Sequence, residues 1–307
     1  MAELMRDKLP IIGTAFIFLF IQFAALTLAP LFPTEYQAFE DADNPVNPLV
    51  YIVMILLITG IVLILIKYGK GRIIQAIFLT SVFVTIFIMF IPLIYLVFPS
   101  VNAALLGSLA IAVAMVSALI IHPEWYMIDI VGITVATGVT AILGMSLGIL
   151  PAMIFLILLA IYDAISVYKT KHMLTLAEGV SPLGIPVLFV VPKKGGFRMD
   201  SLKGKSITAE GEEREAVFMG LGDSVIPGIL VVSAFMFLPS SSGSIDFANL
   251  IVALGTIIGS FIGYLLLMRL VYKGKPQAGL PLLNGGALLG FTIAYIFVFQ
   301  DLGLGIL

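Results

Sequence analysis

Residues 73–98 read IIQAIFLTSVFVTIFIMFIPLIYLVF, which is 26 consecutive positions without a charged side chain. An α-helix needs about 20 predominantly apolar residues to cross the hydrocarbon core of a bilayer. The rest of the chain has the same character, because 61% of its 307 residues are hydrophobic and only 11% are charged. Soluble globular proteins are about one-quarter charged. The sequence therefore predicts an integral, multi-pass membrane protein in contact with the lipid bilayer, and no nucleic-acid partner.

Nine such apolar runs occur along the chain. They cover approximately residues 10–32, 48–67, 73–98, 101–121, 126–148, 151–168, 216–238, 247–271 and 280–300. The third and fourth runs are separated at Pro99, and the fifth and sixth at Pro151, because proline ends one helix and starts the next. The first run is too long for a cleavable signal peptide. The predicted fold is an all-α single membrane domain over 1–307, with six helices in 10–168 and three in 216–300.

The distribution of basic residues indicates the orientation. If the N-terminus is cytoplasmic, all 16 Lys and Arg residues fall on the cytoplasmic side. The charged residues of the outer segments are then only acidic, namely Glu35, Glu40, Asp41, Asp43, Asp246 and Asp301. Cytoplasmic loops of membrane proteins are enriched in Lys and Arg. We therefore expect a cytoplasmic N-terminus, an outer C-terminus and one long cytoplasmic loop, 169–215, between the sixth and seventh helices.

Two of the 18 acidic residues, Asp163 and Asp223, lie well inside apolar helices. A carboxylate in the hydrocarbon region costs several kcal/mol, so such a residue is by default functional and faces the interior of the bundle. Asp129 is a few residues inside the fifth helix, beside the aromatic pair Trp125 and Tyr126, and is interpreted as a residue of the helix end. The acidic residues of the membrane interior are therefore predicted to be one pair.

The two aspartates have similar depths, roughly 9–13 Å from the inner boundary at about 1.5 Å per helical residue. They belong to consecutive antiparallel helices, so we expect them side by side. Two carboxylates that close cannot both ionise easily, and a pair that shares a proton suits peptide hydrolysis by general acid and base catalysis. The pair alone is equally compatible with a polar clamp between helices, or with a relay in a proton- or cation-coupled transporter or leak channel.

Other motifs favour packing over chemistry. Gly144-Met-Ser-Leu-Gly148 fits the G-x-S-x-G pattern of serine hydrolases, but no membrane histidine serves it. It is interpreted with the other spaced glycines as a small-residue packing face; these are Gly255, Gly259, Gly263, Gly286 and Gly290. Gln22 and Asn284 are predicted to hydrogen-bond between helices. The chain has no cysteine and two histidines, His122 and His172, so neither a metal site nor an organic cofactor is predicted.

Three short motifs resemble the presenilin and signal peptide peptidase family of GxGD-type intramembrane aspartyl proteases. They are Tyr162-Asp163 in the sixth helix, Gly220-Leu221-Gly222-Asp223 in the seventh, and a Leu280-Pro281 turn that opens the ninth. The order of the motifs, the helices that carry them and the count of nine all match the family. The chain is thus similar to a prokaryotic presenilin homologue, and its expected location is the plasma membrane.

The resemblance implies roles for these positions. Asp163 and Asp223 would be the catalytic dyad of an aspartic endopeptidase with water as nucleophile, and Tyr162 would shape the site together with the glycines of the second motif and Leu221. Gly279, Leu280 and Pro281 would bind substrate. The family motif at this turn reads Pro-Ala-Leu, whereas this chain has Ala278-Gly279-Leu280. A catalytically inactive member that binds transmembrane helices remains a further alternative.

The expected substrates are proteins with a transmembrane helix. With the N-terminus inside, the sixth helix runs inward as in presenilins, so we expect a preference for substrates whose N-terminus lies outside. The substrate must unwind, and its freed backbone groups need partners. We expect Lys205-Ser-Ile-Thr208 or the Leu280 turn to pair with it as an added strand. Self-cleavage within the apolar stretch 182–192 is a second hypothesis. A homo-oligomer stays open, and no obligatory partner subunit is indicated.

Overall fold

The computed structural model describes residues 2–170, 186–193, 196–197, 216–239, 246–271 and 277–300. Nine α-helices occur in this part of the chain: α1 (Ala2–Leu28), α2 (Asn47–Lys67), α3 (Gly71–Val97), α4 (Val101–Ile121), α5 (Trp125–Ser146), α6 (Ile149–Ile165), α7 (Leu221–Phe237), α8 (Phe247–Val271) and α9 (Leu280–Phe299). Two strands, β1 (Leu188–Pro192) and β2 (Ala216–Gly220), form an antiparallel sheet. The predicted helical, multi-pass membrane fold is confirmed, with this small sheet in addition.

Eight helical segments of the described chain are long and apolar enough to cross a membrane, and α7, with 17 residues, is shorter. The breaks predicted from proline are present, since α3 ends at Val97 and α6 begins at Ile149. Proline is tolerated in the first turn of a helix because the N–H groups there have no helical acceptor. Hydropathy and proline positions therefore locate most of the helices.

The predicted helix over 216–238 is wrong in its first five residues. Ala216–Gly220 is extended and pairs with β1, with Val190 opposite Phe218 and Leu188 opposite Gly220. A short apolar run looks the same in a buried strand and in a buried helix, so its sequence does not separate the two. β1 lies inside the predicted loop 169–215, whereas Lys205–Thr208 lies outside the described residues.

The stretch proposed for self-cleavage is described only from residue 186 onward, and residues 182–185 lie outside the described chain. Its described half is not an exposed loop. In β1, Phe189 is 0% exposed and Val190 is 2% exposed. A buried, paired strand is a poor substrate for proteolysis, so the structure gives no support to cleavage within 188–192.

Contacts between residues divide the chain into two compact units. The first comprises Met1–Ile17, Ile58–Val139 and Met173–Leu221. Its core lies among α3, α4 and the first half of α5, and its central buried side chains are Val82, Ile86, Ala112, Leu119, Ile128 and Val131. The two-stranded sheet belongs to this unit.

The second unit comprises Phe18–Leu57, Thr140–His172 and Gly222–Leu307. Within it α8 and α9 pack backbone against backbone through the spaced glycines. A Cβ added at Gly259 would lie 2.7 Å from the Cα of Gly290 and would also meet the carbonyl oxygen of Gly286. Gly144 packs in the same way on α7, where an added Cβ would lie 2.7 Å from Cγ1 of Val232. The packing interpretation of these glycines is confirmed.

The α8–α9 contact can be tested with one methyl group. Gly259→Ala forces the two backbones apart, and overpacking of this kind costs about 1–3 kcal/mol. We therefore expect a lower midpoint of thermal unfolding in detergent and a smaller folded yield. Gly285→Ala is the matched control in α9, because an added Cβ there meets nothing within 4 Å. Equal unfolding midpoints for the two variants would contradict the close packing.

Candidate active site

Asp163 lies near the C-terminal end of α6 and is buried, with 6% of its surface exposed. Three residues later the backbone changes from α-helical to a π-helical turn, Ser166–Thr170. The hydroxyl of Ser166 donates to the main-chain oxygen of Asp163 over 2.9 Å. Single π turns inside or at the end of helices are frequent at functional sites. The local backbone around Asp163 is thus irregular and held by a buried hydroxyl.

Two backbone N–H groups hold the Asp163 carboxylate. Leu280 donates its N–H to Oδ2 of Asp163 at 3.1 Å, and the N–H of Gly279 also donates to this carboxylate. Leu280 is the first residue of α9, so its N–H has no acceptor within the helix. The start of α9 therefore supplies unused donors to a carboxylate that needs them.

Asp223 contacts the same turn. It lies in the first turn of α7 and is half-buried. A Cβ added at Gly279 would lie 3.1 Å from Oδ1 and 3.3 Å from Cγ of Asp223, so this carboxylate packs directly on the glycine. The first turn of a helix is also a favourable place for a carboxylate, because it faces free N–H groups and the positive end of the helix dipole. Gly279 and Leu280 thus touch both aspartates.

The remaining sequence-predicted site residues are placed as follows. Tyr162 is half-buried on α6, next to Asp163. Gly222 is exposed, and an added Cβ there meets nothing within 4 Å, so packing does not require this glycine. Pro281 is the second residue of α9. Gly220 ends β2, and Leu221, the first residue of α7, donates its N–H to the carbonyl oxygen of Val187 at 3.1 Å, so the strand pairing continues up to the start of the helix.

Tyr168 is a residue of this site that the sequence did not reveal. Its hydroxyl donates to Oε1 of Gln277 at 2.9 Å and accepts the N–H of Ala278 at 3.2 Å. It therefore holds the residues that lead into Gly279. In the sequence an aromatic residue at the end of an apolar run looks like an interfacial anchor, and only its distance of five residues from Asp163 connects it with the site.

Polar residues tie the surrounding helices together, as predicted. Asn284 donates from Nδ2 to the carbonyl oxygen of Leu156 at 2.8 Å, a second link between α9 and α6. Gln22 and the hydroxyl of Ser260 hydrogen-bond at 3.2 Å. Ser146, the serine of the G-x-S-x-G pattern, donates to Ile142 at 2.6 Å and accepts the N–H of Ala38 at 2.9 Å. The Ser146 hydroxyl is thus engaged in structural hydrogen bonds.

Asp129 lies near the start of α5, as the sequence indicated, but its side chain is not interfacial. Its side chain is 6% exposed, and its Oδ1 accepts the N–H of Val190 in β1 at 2.8 Å. The neighbouring Tyr126 is 46% exposed and fits an interfacial anchor, but Asp129 lies almost one helical turn further on, facing the sheet. The described chain therefore contains a third carboxylate within a membrane-spanning helix, outside the pair.

Residues 15–300 match the family model described as signal-peptide peptidase, presenilin aspartyl protease. Two solved structures of a presenilin family intramembrane aspartate protease are similar to the chain. One, in space group C222, has 36% sequence identity and a TM-score of 0.68, and the match covers 94% of this chain and 100% of that one. The other, in space group P2, has 37% identity and a TM-score of 0.67, with 95% and 99% covered. No curated protein matches the sequence.

The contact between Gly279 and Asp223 predicts a size limit at this position. Gly279→Ala is expected to keep kcat/KM within about threefold, because the carboxylate can yield by a few tenths of an ångström. Gly279→Val adds two further methyl groups, and a misplacement of about 1 Å in a site can cost about a hundredfold in rate. Kinetic measurement of peptide-bond cleavage, with thermal unfolding in parallel, checks both. Gly285→Val, in the helix that follows Gly279, is the control, and unchanged kcat/KM in Gly279→Val would contradict the limit.

Proposed function

The chain belongs to the signal-peptide peptidase and presenilin family of aspartyl proteases, and we propose that Asp163 and Asp223 are its two catalytic residues. It is an integral multi-pass membrane protein and an intramembrane aspartic endopeptidase, as its family and its solved neighbours are. The transmembrane segments of other proteins are the substrates of such enzymes. Neither the family nor the similar structures support the transporter interpretation.

One observation carries the assignment of the dyad. The two-residue turn of Gly279 and Leu280 touches the carboxylates of Asp163 and Asp223 together. A polar clamp between α6 and α7 would need only the two aspartates. Here a third element, the turn that opens α9, holds the Asp163 carboxylate by N–H donors and leaves room for that of Asp223 because Gly279 has no side chain. Such an arrangement supports preorganised chemistry.

The proposed mechanism is general acid and base catalysis with water as nucleophile. The pair shares one proton, because two neighbouring carboxylates cannot both ionise easily. The ionised carboxylate takes a proton from water as the water oxygen attacks the scissile carbonyl carbon. The protonated carboxylate donates to the carbonyl oxygen, and a proton passes to the leaving amine as the C–N bond breaks. The N–H groups of Gly279 and Leu280 keep Asp163 oriented through these steps.

An extended substrate needs hydrogen-bond partners, and β2 provides a strand edge for them. In β2 the N–H and C=O of Phe218 point away from β1, and within the described chain no residue bonds to them. We propose that unwound substrate adds to this edge as a third strand. The last residue of β2, Gly220, precedes Asp223 by three positions, so this strand leads along the chain into the catalytic motif. This proposal replaces the expectation for Lys205–Thr208.

Proteolysis by purified protein in liposomes tests the dyad. The substrate is a single-span protein with its N-terminus outside, and the products are read by mass spectrometry. Asp163→Asn and Asp223→Asn keep the side-chain shape but remove the acid–base function, so each should lower the rate by at least about a thousandfold. Glu35→Gln, an exposed acid outside the site, is the control. Cleavage within the span by both Asn variants at the wild-type rate would overturn the assignment.

Substrate orientation follows from the proposed cytoplasmic N-terminus. Inverting the substrate span reverses the chain direction of the strand that it adds to β2, from antiparallel to parallel or the reverse. We propose that the dyad cleaves a strand of one direction only. We expect a substrate with its N-terminus outside to be cleaved with a kcat/KM at least about tenfold above that of the same span inverted, a difference of about 1.4 kcal/mol in the barrier. Both are compared in liposomes of known protein orientation. Cleavage of the inverted span alone would reverse the proposed preference.

A further inference from the structure

Asp129 has no part in the proposed dyad, yet its carboxylate is as buried as that of Asp163. Its carboxylate is buried in the membrane-spanning helix α5 and accepts the N–H of Val190 at 2.8 Å. Burying a carboxylate in such a place is costly, and it persists where a specific partner requires it. The partner here is the backbone of a strand, and no other charged side chain is needed to explain the contact.

The register of the sheet identifies which edge Asp129 occupies. Val190 lies opposite Phe218. In an antiparallel pair, opposed residues alternate: one pair exchanges backbone hydrogen bonds, and the N–H and C=O groups of the next pair point away from the partner strand. Because the Val190 N–H reaches Asp129, this pair points outward on both strands. Pro192 lies two residues after Val190, opposite Ala216, and its backbone also faces away from β2. As a proline it has no N–H to offer at this edge. Asp129 therefore covers the outer edge of β1, and the equivalent edge of β2 is the one at Phe218.

Two glycines fix β1 next to this contact. A Cβ added at Gly132, which is three residues after Asp129 on α5, would lie 3.1 Å from Cε1 of Phe189. A Cβ added at Gly13 of α1 would lie 2.9 Å from Cγ1 of Val191. The strand is thus packed on helices through alternate side chains, and Asp129 bonds the residue between them. The Asp129 side chain, and the absence of side chains at Gly13 and Gly132, together set the position of β1.

We propose that Asp129 is a positioning residue that closes the outer edge of β1, so that substrate adds only to β2 and in one register. This inference rests on the proposed strand addition at β2. An unpaired strand edge accepts other strands, and a polar side chain on that edge is a common way to prevent it. A slip of one residue turns every substrate side chain to the opposite face and shifts the bond presented for cleavage. Asp129 thereby sets where the substrate is cut.

The experiment compares variants by cleavage position and by KM, with active sites titrated by a transition-state inhibitor of aspartyl proteases. Asp129→Leu removes the acceptor at similar size, whereas Asp129→Asn keeps an acceptor oxygen. Val190→Pro removes the donor while leaving the β1–β2 hydrogen bonds, and it replaces Asp129→Leu if that variant does not fold. Phe218→Pro removes the N–H from the edge of β2, where proline is tolerated, and tests strand addition itself.

We expect Asp129→Leu and Val190→Pro to raise KM about tenfold and to add at least one new cleavage position, because a buried donor or acceptor is left unpaired. Asp129→Asn should keep the wild-type position and KM. If Asp129 has a merely structural role, its loss lowers the fraction of active enzyme but changes neither the cleavage position nor KM. That result overturns the proposal. If the wild type does not cleave, the proposed function itself fails. If the wild type cleaves but Phe218→Pro leaves KM unchanged, strand addition fails and this inference falls with it.

Discussion

Carboxylates inside a membrane need hydrogen-bond donors from the protein, because lipid supplies none. In this chain the donors are backbone N–H groups that regular helices cannot use. Asp163 receives them from Gly279 and Leu280 at the start of α9, and Asp129 receives one from Val190 at a strand edge. The same N–H groups would be costly if left unpaired in an apolar surrounding. The acid and the backbone N–H groups satisfy each other, at the start of α9 for Asp163 and at the edge of β1 for Asp129.

This pairing depends on the exact position of α9, which the glycines set. Gly259 and Gly290 allow the backbones of α8 and α9 to touch, and Asn284 ties α9 to α6 one turn below Leu280. Each contact is weak by itself, since hydrogen bonds between membrane helices contribute about 0.6–2 kcal/mol. Together they hold the first N–H of α9 at hydrogen-bonding distance from a carboxylate on a different helix. Small residues far from the aspartates thereby decide the geometry at them.

Much of this arrangement could be predicted from the sequence, and the failures have identifiable physical causes. Long apolar runs and proline breaks located the helices, because only a helix or a closed barrel satisfies its backbone in lipid. Asp163 and Asp223 stood out by the cost of burying charge. Ala216–Gly220 was misassigned because five apolar residues next to a helix carry no distinguishing period. Asp129 was misassigned because nearness to interfacial aromatics measures position along the helix and not the direction that a side chain faces.

The strand that interrupts the seventh apolar run also shortens α7. With 17 residues at about 1.5 Å each, this helix spans about 26 Å, less than the roughly 30 Å of a typical hydrocarbon core. A short helix is accommodated by local thinning of the bilayer. Thinning beside α7 would bring headgroups and water nearer to Asp223, which lies in the first turn of this helix. Through hydrophobic mismatch, bilayer thickness would then act on the proposed hydrolysis by changing how readily water reaches Asp223.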